Sequence, residues 1–184
     1  MNKNINNTNY KKKSKILAHT KVIVRKYGWS QDIFEKLIDN NVKKTDLVFL
    51  FENNYKNLLH FSLDEINDIM EKEIKKINII NFPTNKRIKK ILMLRLTILD
   101  QDKIFYKKTF NHLILPNNIN LIKKTIYKSV DKMWYLAGDD STDFNFYTKR
   151  LILAGIYVNA LLTLFNKNIK DVELNIDRNL KKIS

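Results

Sequence analysis

Residues that break helices or form tight turns are scarce in this chain. Its 184 residues include three Gly and two Pro, and the Asn-Gly and Asp-Gly pairs that favour β-hairpins do not occur. Apolar residues recur instead at intervals of three and four positions, which is the period of an amphipathic helix. The sequence therefore predicts an all-α protein that is long enough to bury a core of its own.

The pattern predicts a bundle of about nine helices. Gly28 is expected to end the first helix, Pro83 to precede the fifth, and Pro116 to separate the sixth from the seventh. The longest apolar stretch, Leu151–Phe165, is too short to cross a bilayer and is expected to be a buried helix.

The expected domain organisation follows from composition. Residues 1–14 are rich in Asn and Lys and are predicted to be a disordered basic tail. Residues 15–184 are predicted to form a single helical domain, because no linker divides them. Within it, about 15–53 has a helix-turn-helix-like pattern and about 54–184 forms the larger remainder.

Basic residues dominate the charge balance. The formal net charge is +15 and the sequence pI is about 9.8, which favours a polyanionic partner, either nucleic acid or an anionic membrane. Most of this charge is Lys in a chain also rich in Asn and Ile, so compositional drift is an alternative explanation. The polar stretch Met1–Lys15 has no apolar core of a signal peptide, and a cytoplasmic protein is expected.

Residue patterns typical of catalysis are missing from the sequence. The glycines are isolated and cannot form a phosphate-binding loop. None of the three His has a Glu three positions before it, as di-iron helices require, and the chain has no Cys. The sequence therefore predicts no catalytic residues, no metal site and no cofactor, although an enzyme stays an alternative.

Residues 29–51 have the pattern of a helix-turn-helix. They resemble the start of TetR-type transcriptional regulators, with matches that build a small core at Val42, Leu47, Phe51 and Asn53. A helix that reads DNA needs polar side chains, whereas Val48–Leu50 is apolar and Asp46 repels phosphate. We therefore expect a degenerate helix-turn-helix in a TetR-like bundle and no specific nucleic acid, with a DNA-binding regulator as the alternative.

The most informative segment is Met133–Arg150, with the sequence MWYLAGDDSTDFNFYTKR. Gly138 is placed to end one helix in the left-handed conformation. Ser141, Thr142 and Asp143 are placed to cap the next one, since an Asp also suits the positive end of a helix dipole. The acidic residues therefore predict a turn with helix caps rather than a metal site.

This segment, Ala-Gly-Asp-x-Ser-Thr-Asp-Phe-Asn-aromatic-Tyr-Thr-Lys-Arg followed by a small and apolar helix, is similar to the signature of the ubiquinone biosynthesis protein COQ9 family. The likeness extends more weakly from about Lys15 to the C-terminus, including Leu94-Arg95-Leu96. It implies a TetR-like fold, an apolar cavity for isoprenoid quinone intermediates and phospholipid, and demethoxyubiquinone hydroxylase as a partner. The implied function is that of a non-catalytic accessory protein that presents lipid to this enzyme.

The resemblance directs attention to two groups of residues. Core packing is the alternative for each of the candidate lipid-binding residues, which are Ile91, Met93, Leu94, Ile98, Leu153, Tyr157 and Leu161. Interfaces favour aromatic and Arg anchors. The candidate partner-binding residues are accordingly Met133, Trp134, Asp143, Phe146, Tyr147 and Arg150, with burial in the core as the alternative for Trp134.

The chain departs from the family pattern in two places. Phe146 stands where family members usually have Trp, which removes an indole donor. The sequence ends at Ser184, before the amphipathic helix of the longer mitochondrial members. Attachment as a peripheral protein at a membrane surface is therefore expected to depend on basic charge.

The last predicted helix has one apolar stripe, formed by Ile169, Val172, Ile176, Leu180 and Ile183. TetR-like proteins usually pair through their last two helices, so a homodimer is expected, with residues 54–184 as the lipid-binding and dimerisation part. The expected location is the bacterial cytoplasm at the inner membrane, or the matrix side of the mitochondrial inner membrane if the protein is organellar.

Overall fold

A computed structural model describes residues 2–142 and 144–180, with side chains from residue 7 onward. These residues form nine α-helices and contain no β-strand, which confirms the all-α prediction. The likeness to TetR proteins stays a prediction. The helices are α1 (Asn2–Tyr27), α2 (Ile33–Asp39), α3 (Lys44–Phe51), α4 (Tyr55–Ile74), α5 (Thr84–Asp100), α6 (Lys103–Leu113), α7 (Ile119–Leu136), α8 (Phe144–Asn166) and α9 (Ile169–Leu180), with a short 3-10 helix at Pro116–Asn118.

The helices fall into two compact units rather than one domain. The first comprises Met1–Glu65 with Ile104–Leu115, and the second comprises Ile66–Lys103 with Pro116–Ser184. The boundary between these units lies within α4 and not near residue 53, and the domain division expected from the sequence stays a prediction. Most of α6 belongs to the first unit, where the Trp29 indole N–H donates to Thr109 Oγ1 over 2.9 Å.

The residues expected to form a basic tail, 1–14, overlap α1, which begins at Asn2. Three side chains hold its first turns in place. The ring of Tyr10 packs edge-on against Phe61 with centroids 5.6 Å apart, and Ser14 Oγ donates to Glu65 Oε1 over 3.1 Å. Lys12 adds an ion pair to Asp46 at 3.4 Å. Composition alone missed these contacts because they are made with distant residues.

The helix-turn-helix pattern is present in the first unit as α2, a four-residue turn and α3. In the turn, Asn41 has a φ of 64° and the Val42 N–H donates to the Leu37 carbonyl over 3.0 Å. One face of α3 is buried through Leu47, Leu50 and Phe51. Its opposite face is exposed and includes two large apolar side chains, Val48 and Phe49.

In the second unit, α8 packs against α5, α7 and α9. Among the described helices, α8 is long and apolar enough to cross a bilayer by length and composition, with a mean hydropathy of 1.3 over its most apolar window. The expectation that it is a buried helix is wrong in part, since 44% of that window is buried. Large exposed apolar surfaces on a folded protein are typical of interaction sites.

The apolar stripe of α9 faces the interior of the second unit. Val172 and Ile176 are buried, and Lys89 of α5 pairs with Asp177 at 2.7 Å and with Glu173 at 3.4 Å. Ile183 lies outside the described residues. The stripe is therefore largely used within the chain, and the homodimer stays a prediction.

Candidate functional site

The C-terminal end of α7 is closed by Gly138, as predicted. Its φ of +80° lies in the left-handed region, and its N–H donates to the Tyr135 carbonyl over 3.0 Å. The N–H of Asp139 donates to the Trp134 carbonyl over 3.1 Å. A Cβ atom at position 138 would lie 3.2 Å from Arg87 Nη1. Both conformation and space therefore favour Gly here.

Arg87 explains this close approach. Its Nη1 donates to the Ala137 carbonyl over 3.0 Å, its Nε to the Phe82 carbonyl over 2.7 Å, and its Nη2 to the Ile80 carbonyl over 2.6 Å. Three carbonyls on two separate segments thus share one guanidinium. The loop after α7 is fixed to the segment before α5.

The loop places the carboxylate of Asp139 in a nearly closed position, with 3% of its side chain exposed. This carboxylate accepts hydrogen bonds from Lys149 Nζ at 2.8 Å, Ser141 Oγ at 2.9 Å and Arg150 Nη1 at 3.1 Å. Burial alone would raise the pKa of Asp139, but these three donors outweigh it and hold the pKa below its ordinary value. The turn and cap interpretation missed this role, because Asp139 binds the second turn of α8 and not the nearest amides.

Arg150 is the second member of this cluster, and 7% of its side chain is exposed. Its Nε donates to Asp131 Oδ1 over 2.7 Å, and its Nη1 also donates to the Phe146 carbonyl over 3.1 Å. The centre of the guanidinium lies 3.3 Å from the centroid of the Phe146 ring. Arg150 is thus enclosed by two carboxylates and a ring, and its place in a partner-binding surface stays a prediction.

Two other candidate partner-binding residues are buried. Met133 is fully inaccessible, and Trp134 is buried with its indole N–H donating to the Lys149 carbonyl over 3.1 Å. Both side chains pack in the core of the second unit, which is the alternative named for Trp134, and their role in partner binding stays a prediction. Asp143, a further candidate, lies outside the described residues.

The exposed part of the predicted partner surface is aromatic. Phe146 is half-buried, whereas 67% of Tyr147 is exposed. Two exposed aromatic residues were missed, Phe144 in the first turn of α8 and Tyr135 in the last turn of α7. Phe144 stands three positions before Tyr147, a spacing that places both on one helix face and that the sequence already contained.

The seven candidate lipid-binding residues are divided by the structure. Met93 and Leu94 are half-buried, and the buried ones are Ile91, Ile98, Leu153, Tyr157 and Leu161. Leu153 lines a pocket that is described below. Tyr157 instead accepts a hydrogen bond from a buried arginine at its hydroxyl, which indicates a role in the core.

This arginine, Arg95, was missed as a structural centre of the second unit. It is 1% exposed and donates to Tyr157 Oη, Asn67 Oδ1 and Ser129 Oγ, each over 2.7 Å. The three acceptors come from α8, α4 and α7. Its position in the apolar segment 91–99 was the available signal, since a charge there must be satisfied internally.

One side of α8 lines a pocket of about 350 Å³, here called the α5–α8 pocket. Its lining is mostly apolar and also includes a threonine, an asparagine and a lysine. The lining residues are Thr84, Asn85, Ile88, Trp134, Lys149, Ile152, Leu153, Ile156 and Leu180.

A different side of α8 lines an open groove of about 590 Å³, here called the α7–α8 groove. Its walls are almost entirely apolar, and Tyr147 stands in its wall. The lining residues are Ile122, Lys123, Ile126, Tyr127, Val130, Tyr147, Arg150, Leu151, Ala154 and Val158.

The two cavities lie on opposite sides of α8. Ile152 and Ile156 are one turn apart and face the pocket, while Leu151, Ala154 and Val158 face the groove. Volumes of this size are typical of sites for small organic ligands. Among the described residues, no three His, Asp or Glu side chains form a group that could hold a metal ion. The site is therefore suited to binding apolar groups.

Comparison with known proteins gives a consistent result. A family model described as COQ9 matches residues 119–184, the segment that holds α7, α8 and α9. "Ubiquinone biosynthesis protein COQ9, mitochondrial" of Bos taurus is 38% identical over 90 residues, covering 49% of this chain and 28% of the relative.

Two further relatives extend the match. The protein of that name from Rattus norvegicus is 32% identical over 122 residues, covering 63% of this chain and 39% of the relative. "Ubiquinone biosynthesis protein COQ9-B, mitochondrial" of Xenopus laevis is 29% identical over 170 residues, with coverages of 86% and 57%. The chain thus spans less than two thirds of the length of each of these relatives.

Proposed function

We propose that this chain, whose residues 119–184 match the COQ9 family model, serves ubiquinone biosynthesis as a non-catalytic protein that binds an isoprenoid quinone intermediate and presents it to a partner enzyme. The partner proposed is the demethoxyubiquinone hydroxylase. The observation that carries the proposal is α8, a helix with apolar cavities on two opposite sides.

The lipid is assigned to the α5–α8 pocket. An isoprenoid tail removed from the bilayer exposes apolar surface at a cost of about 25 cal/mol per Å². Ile88, Leu153 and Ile156 offer an apolar lining that offsets this cost, while Asn85 and Lys149 at the rim offer hydrogen bonds to a polar head group. Leu153 is the one predicted lipid-binding residue that the proposal retains at this pocket.

The partner enzyme is assigned to the α7–α8 groove. Tyr147 stands exposed in its wall, and Leu151 of the next turn is exposed as well. Exposed aromatic residues beside an apolar groove are typical anchors of protein interfaces. Phe146 supports the surface from below, because its ring is stacked on the buried guanidinium of Arg150.

Location and assembly belong to the same proposal. The relatives named above are mitochondrial by name, which favours the matrix side of the mitochondrial inner membrane over a bacterial cytoplasm. A lipid-presenting protein must reach its lipid, so the proposal includes peripheral attachment to that membrane. It also includes a homodimer formed through the last two helices.

The lipid assignment is tested by gentle purification followed by lipid extraction and mass spectrometry. We expect bound isoprenoid quinone or phospholipid in the native chain. Ile152→Glu places a charge in the pocket and should empty it. Leu162→Glu is the matched control, because Leu162 is exposed on the same helix and lines neither cavity. Equal lipid content in both variants, or none in the native chain, would contradict the assignment.

The partner assignment is tested by calorimetric titration with the hydroxylase. Tyr147→Ala should weaken the complex by about 1–3 kcal/mol, the range of interface anchors. Tyr135→Ala is the control, since both tyrosines are 67% exposed but Tyr135 lies outside the groove lining. Circular dichroism should show both variants folded. An unchanged dissociation constant for Tyr147→Ala would place the partner surface elsewhere.

A further inference from the structure

Two large apolar side chains are exposed on the outer face of α3 in the first unit. Leu47, Leu50 and Phe51 fill the inner face, whereas Val48 is 47% exposed and Phe49 is 72% exposed. In a helix-turn-helix this outer face would meet DNA, and it needs polar side chains to do so. An exposed Phe beside an exposed Val instead favours contact with an apolar phase.

Basic residues surround this face. Lys43 and Lys44 are exposed at the start of α3, and α1 contributes Lys12 and Lys13 next to it. Lys12 pairs with Asp46 of α3 at 3.4 Å, so the acidic residue in this helix is already matched. Lys13 Nζ lies 5.4 Å from the Phe51 ring centroid, which holds its charge beside the helix. The positive charge of this surface is complementary to the negative charge of an anionic surface.

A cleft opens beside Phe49. It has a volume of about 350 Å³ and is lined by Asn9, Tyr10, Lys13, Phe49, Leu50 and Phe61. Its lining combines an ammonium group, an amide and aromatic rings. This combination suits the boundary between lipid head groups and acyl chains, where aromatic rings and lysines are both favoured.

We infer that α3 and the adjoining basic turns of α1 form a docking surface for an anionic lipid bilayer, with Phe49 inserted below the head groups and Lys43 and Lys44 against their phosphates. The inference rests on the proposed function only in that a lipid-presenting protein works at a membrane. It names a surface that differs from both cavities of α8. Sequence-independent binding to duplex DNA is the competing use of the same lysines.

The test is co-sedimentation of the full chain with vesicles of equimolar phosphatidylcholine and phosphatidylglycerol. Phe49→Ser should weaken binding to the vesicles about tenfold, because the mutation removes the apolar side chain whose burial in the bilayer favours binding. The matched control is Phe144→Ser, since Phe144 is 81% exposed on α8. Equal losses in the two variants would overturn the assignment to α3.

The charge contribution is tested with pairs of lysines. The double variant Lys43→Gln with Lys44→Gln should lose about fivefold for each lysine at low salt. The double variant Lys123→Gln with Lys124→Gln removes the same charge from exposed positions on α7 and should lose much less. Vesicles of phosphatidylcholine alone should bind weakly. Equal binding to neutral and mixed vesicles would overturn the inference.

A direct reporter separates insertion from misfolding. Phe49→Trp should show a blue shift of indole emission and quenching by brominated acyl chains when mixed vesicles are added, whereas the native Trp29 and Trp134 are buried and should change little. Bound quinone measured in the same preparations tests the pocket separately. The membrane surface would be refuted if a Trp at position 49 remained exposed to water when vesicles were added. It would also be refuted if Phe49→Ser lost binding to duplex DNA and to vesicles to the same extent.

Discussion

The second unit contains two buried arginines that are satisfied in opposite ways. Arg150 meets two carboxylates, those of Asp131 and Asp139, and lies at the end of the unit where the loop after α7 joins α8. Arg95 lies in α5 and donates only to neutral oxygens of Asn67, Ser129 and Tyr157. Arg150 is therefore part of a charged cluster, whereas the charge of Arg95 is stabilised by the dipoles of neutral groups.

This difference determines how much stability the protein loses when each arginine is replaced. A guanidinium paired with a buried carboxylate, here that of Asp139, leaves a poorly compensated buried charge behind when it is removed. A guanidinium bound to neutral groups leaves only unsatisfied dipoles, and Ser129 Oγ already has a second contact at the Thr125 carbonyl, 2.8 Å away. The two positions should therefore respond differently to the same substitution and to pH.

The largest effect is expected for Arg150→Met. It leaves Asp139 nearly closed from solvent with Lys149 as its remaining cation, so the free energy of unfolding should fall by about 3–5 kcal/mol. Urea unfolding followed by circular dichroism measures it. Arg178→Met on α9 is the control, because Arg178 is exposed and should cost at most about 0.5 kcal/mol. Equal losses of unfolding free energy in the two variants would contradict the stabilising role of the charged cluster.

The pH dependence sharpens this prediction. The pKa of Asp139 lies below its ordinary value of 3.8 in the folded protein, so its interactions stabilise the fold above that value. This stability is lost as the pH falls through the lower folded pKa. The cost of Arg150→Met should therefore be full at neutral pH and shrink once the pH drops below 3.8. A cost that stays constant into acid would contradict the assignment to Asp139.

Arg95→Met should cost less, about 2 kcal/mol, because Met fills most of the volume and three neutral groups lose a donor. No carboxylate takes part, so the cost should be the same at neutral and acid pH. The measurement is the same pair of urea titrations, with Arg95→Ala added to separate the volume term. A cost for Arg95→Met that follows the pH profile of Arg150→Met would remove the distinction between the two sites.

The loop that supports Arg150 is tested by Gly138→Ala, which should lower the free energy of unfolding by about 1 kcal/mol. The left-handed φ penalises a Cβ atom, and Arg87 must shift to admit it. Gly155→Ala in α8 should have the opposite sign, because no heavy atom lies within 4 Å of its added Cβ and Ala favours helices. Thermal melts of both variants measure the contrast, and equal signs would contradict it.

The smallest effect is expected for a partly exposed ion pair in the same unit. Glu71 accepts from Lys132 at 2.5 Å and Lys75 at 2.7 Å, and these hydrogen bonds lower its pKa from 4.5 to about 2. Glu71→Gln should cost less than about 1 kcal/mol at neutral pH. A group with a lowered folded pKa stabilises the fold above 4.5, so this cost should vanish as the pH falls towards 2. A loss of unfolding free energy in Glu71→Gln as large as that in Arg150→Met would contradict the difference expected between buried and exposed ion pairs.

Local sequence signals predicted much of this architecture. The spacing of apolar residues gave the helices, and Gly138 was found because a left-handed helix end has its own residue preference. What the sequence did not reveal depends on distant partners. Asp139 was interpreted as a turn residue because its donors Lys149 and Arg150 follow ten and eleven positions later.

The same reason explains the remaining misses. The first turns of α1 looked like a polar tail because Tyr10 finds Phe61 only in the folded unit. The exposed positions on α8 were also out of reach, since Leu151 and Leu153 have the same side chain but opposite environments. Residue type fixes a preference for burial, whereas topology decides which residues obtain it.

The shared carboxylate of Asp139 has a consequence for how the two cavities behave together. Lys149 lines the α5–α8 pocket and Arg150 lines the α7–α8 groove, and both bind the two oxygens of this one group. A ligand that draws Lys149 towards its own polar atoms leaves more of the carboxylate's charge to Arg150. On the proposed assignments, occupancy of the pocket and occupancy of the groove would be linked thermodynamically through this carboxylate, and by reciprocity each would change the affinity of the other by the same factor.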